Sequence, residues 1–340
     1  MSEAYQTPTL EDVAKAAGVS TATVSRCLNT SEKVSLKNRE RVMKAVNDLG
    51  YTPNFGARVM AAKRTRTIGA IIPTMENAIF ARGLQAFQEQ LHELGYTLLV
   101  ASSAYDPELE AEQVKSLIAR GADALLLIGY ERNAEVYDFL ERRNIPALVA
   151  WSHQTDNRVP SIGFDNHASM AALTEQVLSY GHKTISVISG IVAGNDRAAG
   201  RLQGIHDAMA QAGLSLPDDR VVEATYDFEN GGSAFQHLMT KAPRPTAIIC
   251  GNDILAAGAM HKARDMGLDI PKDVSITGFD DIELASILSP ALTTMHVPHR
   301  AMGKAAAVEI IDMLEKRSTG RTTKLESSFK LRASLGPVPL

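Results

Sequence analysis

Thr9-Leu-Glu-Asp-Val-Ala-Lys-Ala-Ala-Gly18-Val-Ser-Thr-Ala-Thr-Val-Ser-Arg26 is the stretch that decides how the first part of this chain folds. Thr9 is placed to cap a helix whose third position is Asp12, a capping box with Asp in place of the usual Glu. Gly18 ends that helix in a left-handed turn, and Ser20 caps a second helix. Two short helices joined by a glycine turn form a helix-turn-helix, which lays its second helix in the major groove of DNA.

Helical hairpins with a glycine turn also occur in enzymes, so the neighbouring segments are needed to distinguish a DNA-binding helix-turn-helix from such a hairpin. A third amphipathic helix follows, capped by Ser35 and ending at Gly50. Next come Tyr51-Thr-Pro-Asn54, a short helical stretch at 55–62 and the basic run at 63–66. Three helices, a linker, a short helix and a large domain together resemble the lactose/purine-repressor family of bacterial transcription regulators. The resemblance extends over essentially the whole chain.

Composition and charge fit a soluble DNA-binding protein. The chain has 340 residues, of which 45% are hydrophobic and 22% are charged. Its net charge of −4 divides unevenly: residues 1–66 carry 11 Lys+Arg against 6 Asp+Glu, giving +5, and the remainder carries 24 against 33, giving −9. A basic head on an acidic body concentrates the attraction for phosphates in the helix-turn-helix. Because the sequence shows neither a signal-peptide core nor an apolar run of membrane-spanning length, we expect a cytoplasmic protein without membrane contact.

From Thr67 onward, short apolar runs alternate with amphipathic helical stretches. This alternation predicts parallel sheets with helices on both faces. The unit repeats, because residues 84–95 align with residues 202–213 and each segment follows an apolar strand. We therefore expect an all-α helix-turn-helix head joined to an α/β body of two doubly wound parallel-sheet lobes. Ligands bind beyond the carboxyl ends of such strands, so a cleft between the lobes is predicted, and the body also resembles periplasmic sugar-binding proteins.

The family resemblance implies a chain that passes three times between the lobes, near 155–161, 285–293 and 322–330. Residues 290–294 resemble the second crossover, and residues 331–334 resemble the final strand. The expected domains are a helix-turn-helix DNA-binding domain at 1–53, a hinge helix and linker at 54–66, and a two-lobed effector-binding and dimerisation domain at 67–340. Its lobes are expected at about 67–157 with 292–324, and at about 158–288 with 328–340.

The same resemblance implies which residues of the head contact DNA. Thr21, Ala22 and Arg26 fall at base-reading positions, and Arg26 is able to donate two hydrogen bonds to guanine O6 and N7. Ser20 and Ser35 match positions that bond phosphates, and we expect both to cap their helices as well. The full predicted set is Thr9, Ser20, Thr21, Ala22, Thr23, Ser25, Arg26, Asn29, Lys33, Ser35, Tyr51, Asn54, Ala57 and Met60.

Residues 54–62 form a hinge helix in the family, which packs against the copy from a dimer mate in the minor groove. Nine residues are too few for a stable isolated helix, so its order must come from DNA and from the partner. Relatives insert an apolar side chain, usually Leu, between the central base steps. This chain has Met60 at that position, and Met is also among the side chains that act as minor-groove wedges.

By the same match, Arg201, Asn252 and Asp280 form a polar clamp for a small effector at the carboxyl ends of the strands. Structural alternatives exist: Arg201 can pair with Asp280, and Phe80 can belong to the core. The full predicted effector set is Asn77, Phe80, Trp151, His153, Phe164, Arg201, Tyr226, Asn252 and Asp280.

One departure from the family bears on the chemistry of the ligand. Sugar-binding relatives often carry Asp at the end of the fourth strand, where this chain has Trp151-Ser-His153. A less acidic pocket that contains Arg201 favours an anionic ligand such as a sugar acid. Residues 73–80 and 163–166 resemble the gluconate-repressor branch of the family.

These observations predict a homodimeric, ligand-controlled transcription regulator, most often a repressor, of a carbohydrate or sugar-acid operon. A corepressor-dependent regulator of nucleotide or other small-metabolite genes is the alternative. An enzyme is not expected, because the sequence has no Gly-x-Gly-x-x-Gly, Walker or His-Glu-x-x-His motif. The well-separated Cys27 and Cys250 predict neither a disulfide nor a zinc site, and no cofactor is expected. His296 and His299 are expected on a surface connection.

Overall fold

The computed structural model describes residues 7–29, 33–52, 64–76 and 78–339. Its internal contacts divide the chain into two units, Met1–Thr65 and Arg66–Leu340. They are called the head and the body below. None of the helices in the described part of the chain is long and apolar enough to span a membrane.

The described part of the head holds three helices, α1 (Leu10–Ala17), α2 (Thr21–Asn29) and α3 (Leu36–Leu49). One side chain from each helix is fully buried, and these are Val13, Val24 and Val42. Cys27 packs among them as a small apolar residue, which confirms its predicted role. The helix-turn-helix expected from the sequence is therefore present, with a core formed by the inward faces of its helices.

The start and end of α1 follow the local sequence. Thr9 Oγ1 accepts a hydrogen bond from the Asp12 amide at 3.3 Å, and the Asp12 carboxylate accepts one from the Thr9 amide at 2.9 Å. This is the predicted capping box, which satisfies two amides that have no partner within the helix. Gly18 then takes the left-handed conformation at φ 61°. A Cβ at Gly18 would lie 2.5 Å from the Arg41 guanidinium, which is the flexible end of its side chain, so the left-handed φ is what favours glycine here.

The other two predicted caps have different outcomes. Ser20 caps α2 as expected, because its hydroxyl accepts from the Thr23 amide at 3.2 Å. Ser35 occupies the residue before α3, but its side chain makes no capping hydrogen bond. The expectation of a side-chain cap at Ser35 is therefore wrong, although α3 begins where the sequence placed it.

The body contains two six-stranded sheets, as the repeated strand and helix pattern predicted. The first sheet has the order β11-β5-β4-β3-β1-β2, and all of its pairs are parallel. The second has the order β12-β10-β9-β8-β6-β7 and is parallel except for β12. The strands are β1 (Thr67–Ile72), β2 (Thr97–Ser102), β3 (Ala124–Ile128), β4 (Ala147–Ala150), β5 (Ser161–Gly163), β6 (Ile185–Gly190), β7 (Val221–Ala224), β8 (Ala247–Cys250), β9 (Ser275–Asp280), β10 (Thr293–His296), β11 (Thr323–Lys324) and β12 (Ser328–Lys330).

Helices cover both faces of each sheet, so the central strands are buried along their whole length. The helices of the body are α4 (Ala78–Glu93), α5 (Pro107–Ala119), α6 (Ala134–Arg142), α7 (Asn166–Ser179), α8 (Asp196–Gln211), α9 (Phe228–Leu238), α10 (Asp253–Asp265), α11 (Glu283–Ile287) and α12 (His299–Leu314). Helix α12 packs against α4 and the first sheet, whereas α7 and α8 pack against each other beside the second sheet.

The crossovers between the lobes correct two of the expected boundaries. Strand β5 pairs with β4, so the first lobe continues through Gly163 rather than ending near 157. Strand β10 pairs with β9, so Thr293–His296 belongs to the second lobe, and residues 290–294 are not the crossover. The third crossing lies between β11 and β12, inside the expected interval 322–330.

The final strand is also displaced from its expected place. It spans Ser328–Lys330, whereas residues 331–334 follow it, and Ser334 joins β9 through a backbone bond from Ile276. Strands of three or four residues contain too few apolar positions for their alternation to be read, and this explains these errors.

Candidate functional site

The outer surface of α2 presents the predicted base-reading residues together. Thr21, Ala22 and Arg26 are exposed, whereas Val24 and Cys27 face the core. With 3.6 residues per helical turn, these three positions fall within about 140° of arc, so they share one side of the helix. A short exposed helix face with one arginine and two small side chains is able to enter a major groove and contact base edges.

The remaining predicted DNA contacts fall into four groups. Ser20, Lys33 and Ser35 are exposed, so their side chains are accessible to phosphates. Thr23 and Ser25 are half-buried on α2. Tyr51 is buried in the core of the head, and the Thr9 hydroxyl bonds Asp12. The structure gives both of these a structural role. Asn54, Ala57 and Met60 lie outside the described residues, and so does the side chain of Asn29.

In the body, an inner pocket lies between the lobes, at the carboxyl ends of the strands. Its volume is about 20 Å³, which holds little more than one water molecule. The lobes are therefore closed on each other. The lining residues are Ile79, Phe80, Tyr105, Trp151, Asn195, Arg197, Arg201, Tyr226 and Asp280.

Arg201 is the best-positioned cation of this pocket. The residue is buried, and its Cζ lies 4.9 Å from the centre of the Phe279 ring. One terminal nitrogen donates to Asn166 Oδ1 at 2.9 Å, and the other to the Tyr226 hydroxyl at 3.1 Å. Its Nε is buried and has no hydrogen-bond partner among the described residues. A buried guanidinium N–H without an acceptor is costly, so this atom is suited to a ligand oxygen.

Trp151 forms the opposite wall in a strained conformation. Its φ is 62°, in the left-handed region, which costs a bulky residue roughly 1–3 kcal/mol. The indole Nε1 donates to His299 Nδ1 at 3.2 Å, and Phe80 meets the ring edge-on at a centroid distance of 5.4 Å. The Trp151 carbonyl accepts from Asn166 Nδ2 at 2.9 Å. Asn166 therefore joins the Trp151 backbone of the first lobe to the Arg201 side chain of the second.

Asp280 and His299 complete the floor of the pocket as a buried pair. Asp280 Oδ1 lies 3.9 Å from His299 Nε2. Burial raises the pKa of the Asp280 carboxyl to about 7, although the Arg201 guanidinium opposes the rise. Burial also lowers the pKa of His299 to about 4. Near neutral pH the imidazole is therefore uncharged, and the carboxyl is close to its own titration point.

A second contact between the lobes lies beside the pocket, and we call it the latch. Asp196 and Arg197 at the start of α8 form hydrogen bonds to the backbone just after β3 and at its end. Arg197 Nη1 donates to the Ile128 carbonyl at 3.0 Å, and Asp196 Oδ2 accepts from the Tyr130 amide at 3.0 Å. Gly129 lies between them at φ 71°, and a Cβ there would stand 1.8 Å from Arg197 Nη1. The latch holds the lobes closed and depends on a residue without a side chain.

Comparisons with known proteins cover both the head and the body. A model described as "Bacterial regulatory proteins, lacI family" matches residues 9–54. One described as "Periplasmic binding proteins and sugar binding domain of LacI family" matches residues 65–333. The chain belongs to the LacI family. It is thus a DNA-binding transcriptional repressor that responds to a ligand, and the resemblance predicted from the sequence is confirmed.

LacI-family relatives match the chain over nearly its whole length. The HTH-type transcriptional repressor PurR of Klebsiella pneumoniae (strain 342) is 33% identical over 335 residues, or 97% of this chain and 98% of PurR. A LacI-family regulator from Silicibacter pomeroyi has a TM-score of 0.87 at 25% identity, covering 97% and 99% of the two chains. The Lac repressor dimer bound to operator and the anti-inducer ONPF has a TM-score of 0.86 at 27% identity, covering 97% and 100%.

Five of the effector residues predicted from the LacI-family resemblance meet in the inner pocket: Phe80, Trp151, Arg201, Tyr226 and Asp280. Three others do not line it. His153 is half-buried beyond β4. Phe164 stacks on Phe279 at 5.9 Å, behind Arg201. Asn252 caps α10 by accepting from the Leu255 amide, and its buried Nδ2 has no hydrogen-bond partner among the described residues. Asn77 lies outside the described residues.

The structure also adds residues that the sequence reasoning missed, namely Tyr105, Asn166, Asn195, Arg197 and His299. Asn195, which caps α8, and Arg197 lie near Arg201 in sequence, so the start of that helix was a usable signal. His299 was expected on a surface connection, and this is wrong because it is buried beneath Trp151. His296 is partly exposed and pairs with Asp281 at 2.9 Å. No local pattern distinguishes these two histidines, since the difference arises from the packing of α12 on the first lobe.

Proposed function

We propose that this LacI-family regulator acts as a homodimer whose two heads read a near-palindromic operator, and that a small acid in the interlobe cleft controls its affinity for DNA. Residues 54–66 would connect each head to its body, with a hinge helix at 54–62 that orders on DNA. The solved Lac repressor dimer on its operator supports the dimeric arrangement. Half-sites read by paired heads then follow from the two-fold symmetry of a dimer.

The observation that carries the effector proposal is Arg201, which lines the pocket and whose buried Nε has no hydrogen-bond partner in the described part of the chain. Arg197 supplies a second guanidinium, and Asp280, the one carboxyl among the described residues that line the pocket, has a pKa of about 7. The pocket is therefore short of negative charge. A hydroxylated carboxylic acid, such as a sugar acid, supplies both the carboxylate for Arg201 and hydroxyls for the neighbouring polar groups.

A purine or related metabolite acting as corepressor is the second candidate. The 33% identity with PurR favours it, and the Phe80 and Trp151 rings offer faces for a planar base. The family model for residues 65–333, which names a sugar-binding domain, favours the first candidate. The two candidates differ in charge, so Arg201 separates them. Replacing Arg201 should abolish binding of an acid but weaken binding of a neutral base much less.

The DNA-reading role is tested by selecting an operator from random duplexes and measuring its affinity alongside that of an unrelated duplex. Arg26→Ala should weaken operator binding by about 5-fold to 150-fold, as expected for one lost arginine–guanine contact. Arg39→Ala is the matched control. Arg39 is exposed on α3, and its replacement removes the same charge from the head. Equal losses on both duplexes for Arg26→Ala would show that this residue contacts phosphate and not a base.

The effector role is tested by thermal-shift screening of sugar acids, neutral sugars and nucleobases against the full chain. A compound that raises the melting temperature is then added to the operator complex, and the change in affinity is measured. Arg201→Ala should lose the response to a sugar acid while keeping its affinity for the operator. A normal response in Arg201→Ala would place the effector elsewhere.

A further inference from the structure

Tyr105 stands where three cavities of the body meet. It lines the inner pocket, a lateral cavity of about 20 Å³ under the first lobe, and an outer cavity of about 290 Å³. The outer cavity, which we call the vestibule, shares Tyr105, Asn195 and Tyr226 with the inner pocket. The two spaces are therefore neighbours.

The two tyrosines form a pair across the mouth of the cleft. Tyr105 follows β2 at the edge of the first sheet, and Tyr226 follows β7 at the edge of the second. Their ring centroids lie 5.9 Å apart at 42°. The Tyr226 hydroxyl accepts a hydrogen bond from Arg201, so one member of the pair is bonded directly to a residue that lines the inner pocket. Because each ring belongs to a different lobe, their separation must change when the lobes move.

The segment that carries Tyr105 is strained. Ala104 has φ 51° and Tyr105 has φ 61°, so two consecutive residues with side chains occupy the left-handed region. Such strained residues are concentrated at binding sites and moving segments. Asp106 fixes the following helix by accepting from the Glu108 amide at 2.8 Å. The strained residues therefore lie between the end of β2 and a well-capped helix.

The walls of the vestibule are apolar and aromatic. Ile191, Ala193 and Ala224 supply aliphatic surface beside the two tyrosine rings, and none of the eight lining residues is charged. The polar groups are already engaged: Thr225 Oγ1 donates to Asp227 at 2.7 Å, and Asn195 Oδ1 accepts from the Ala198 amide. The vestibule therefore has the volume of a small ligand site, and its apolar walls are suited to contact the apolar faces of an uncharged ring.

We propose that the vestibule is a second subsite, which binds an uncharged ring attached to the effector head held by Arg201. Tyr105 and Tyr226 pack against that ring, so the preferred effector has two parts and not one. The ring is a sugar unit or an aryl group, since both present apolar faces. This subsite rests on the proposed cleft-binding effector, and it specifies what is joined to the head.

Matched ligand pairs test the subsite with the full chain, and Trp151, the sole tryptophan, provides the emission signal. Gluconate against cellobionate adds a sugar ring, and glucuronate against phenyl β-D-glucuronide adds an aryl ring. Hypoxanthine against inosine repeats the comparison for a base head. We expect the extended member of at least one pair to bind about tenfold tighter, from the apolar area that it buries. The pair that shows the gain identifies the source of the ring.

Ala193→Phe fills the vestibule without touching the inner pocket, and Ile191→Ser removes part of its aliphatic wall. Each should erase the gain of the extended ligand while leaving the affinity of the short one within about twofold. Tyr105→Phe should keep the gain, and Tyr105→Ala should lose it.

Equal affinities within every pair, or a gain that survives Ala193→Phe, would overturn the subsite and leave the proposed effector standing. If only hypoxanthine and inosine bind, the proposal that the effector head is an acid is refuted. The comparison of these two compounds then still tests whether the vestibule is a second subsite. If none of the six compounds binds, both proposals are refuted.

Discussion

Gly129→Ala should open the cleft, because the added methyl group would occupy the space of the latch. A Cβ at this position would lie 1.8 Å from Arg197 Nη1 and 2.2 Å from Asp196 Oδ1, so both side chains must leave. Their departure breaks the bonds to the Ile128 carbonyl and to the Tyr130 amide. At about 1 kcal/mol for each hydrogen bond, the closed arrangement loses about 2 kcal/mol, or roughly 30-fold in its population relative to the open one.

Any alanine that replaces a glycine with positive φ is strained in its backbone, so the effect of this strain must be measured separately in a control variant. Gly213 has φ 73°, and nothing lies within 4 Å of a Cβ built there. Gly213→Ala therefore carries the same backbone strain, about 1–2 kcal/mol, without disturbing the latch. The difference between the two variants isolates the contact between the lobes.

Acrylamide quenching of Trp151 provides the assay. The residue is only 3% exposed in the closed body, and as the sole tryptophan it gives an unmixed signal. Gly129→Ala should quench several-fold faster than the parent chain, whereas Gly213→Ala should behave as the parent does. Unfolding in urea, followed by circular dichroism, shows that both variants remain folded. Equal quenching in the two variants would refute the reasoning that the latch keeps the lobes together.

Three further outcomes follow from the same contacts. Because the pKa of Asp280 is raised to about 7, its contribution to stability is lost as pH rises from about 4 to 7. Asp280→Asn should therefore remove a loss of about 3 kcal/mol between pH 5 and pH 8, measured by urea unfolding at those two values. Thr9→Ala should cost about 1 kcal/mol in the unfolding of the head, followed by amide exchange in α1. Asn166→Ala removes the acceptor of Arg201, so it should weaken acid binding about tenfold; Asn166→Asp should not restore it, because its carboxylate neutralises Arg201 and repels an acid, and both are measured by Trp151 emission.

The head was predictable because its determinants are local. The capping box joins residues three apart, and Gly18 acts on its own turn, so the sequence alone specifies the boundaries of α1. The long buried strands of the body were predictable for a similar reason, since β1 and β3 are continuous apolar runs. Ser35 shows the limit of such reasoning, because a suitable residue at the correct position need not make the bond.

The cleft was predictable only in part. Arg201 and Asp280 were found by the family resemblance, and the convergence of side chains at the carboxyl ends of parallel strands is consistent with that match. Tyr105, Arg197 and His299 were missed because each acquires its role by contact with the opposite lobe or with a distant helix. The positions of β5 and β10 belong to the same class, since a strand of three or four residues is assigned to a sheet by its partner and not by its own pattern.

Two contacts between the lobes limit what an effector is able to do. The latch lies on one side of the cleft, and on the other Asn166 joins the Trp151 carbonyl to Arg201. A ligand shifts the balance between open and closed bodies only by the difference in its affinity for the two. Because the closed inner pocket has a volume of about 20 Å³, an effector must first separate these contacts and then bridge both walls itself. A ligand that reaches only one wall therefore binds the open body alone and holds the lobes apart, whereas a ligand that contacts Arg201 and Trp151 together replaces the bonds that it displaces and stabilises a closed body.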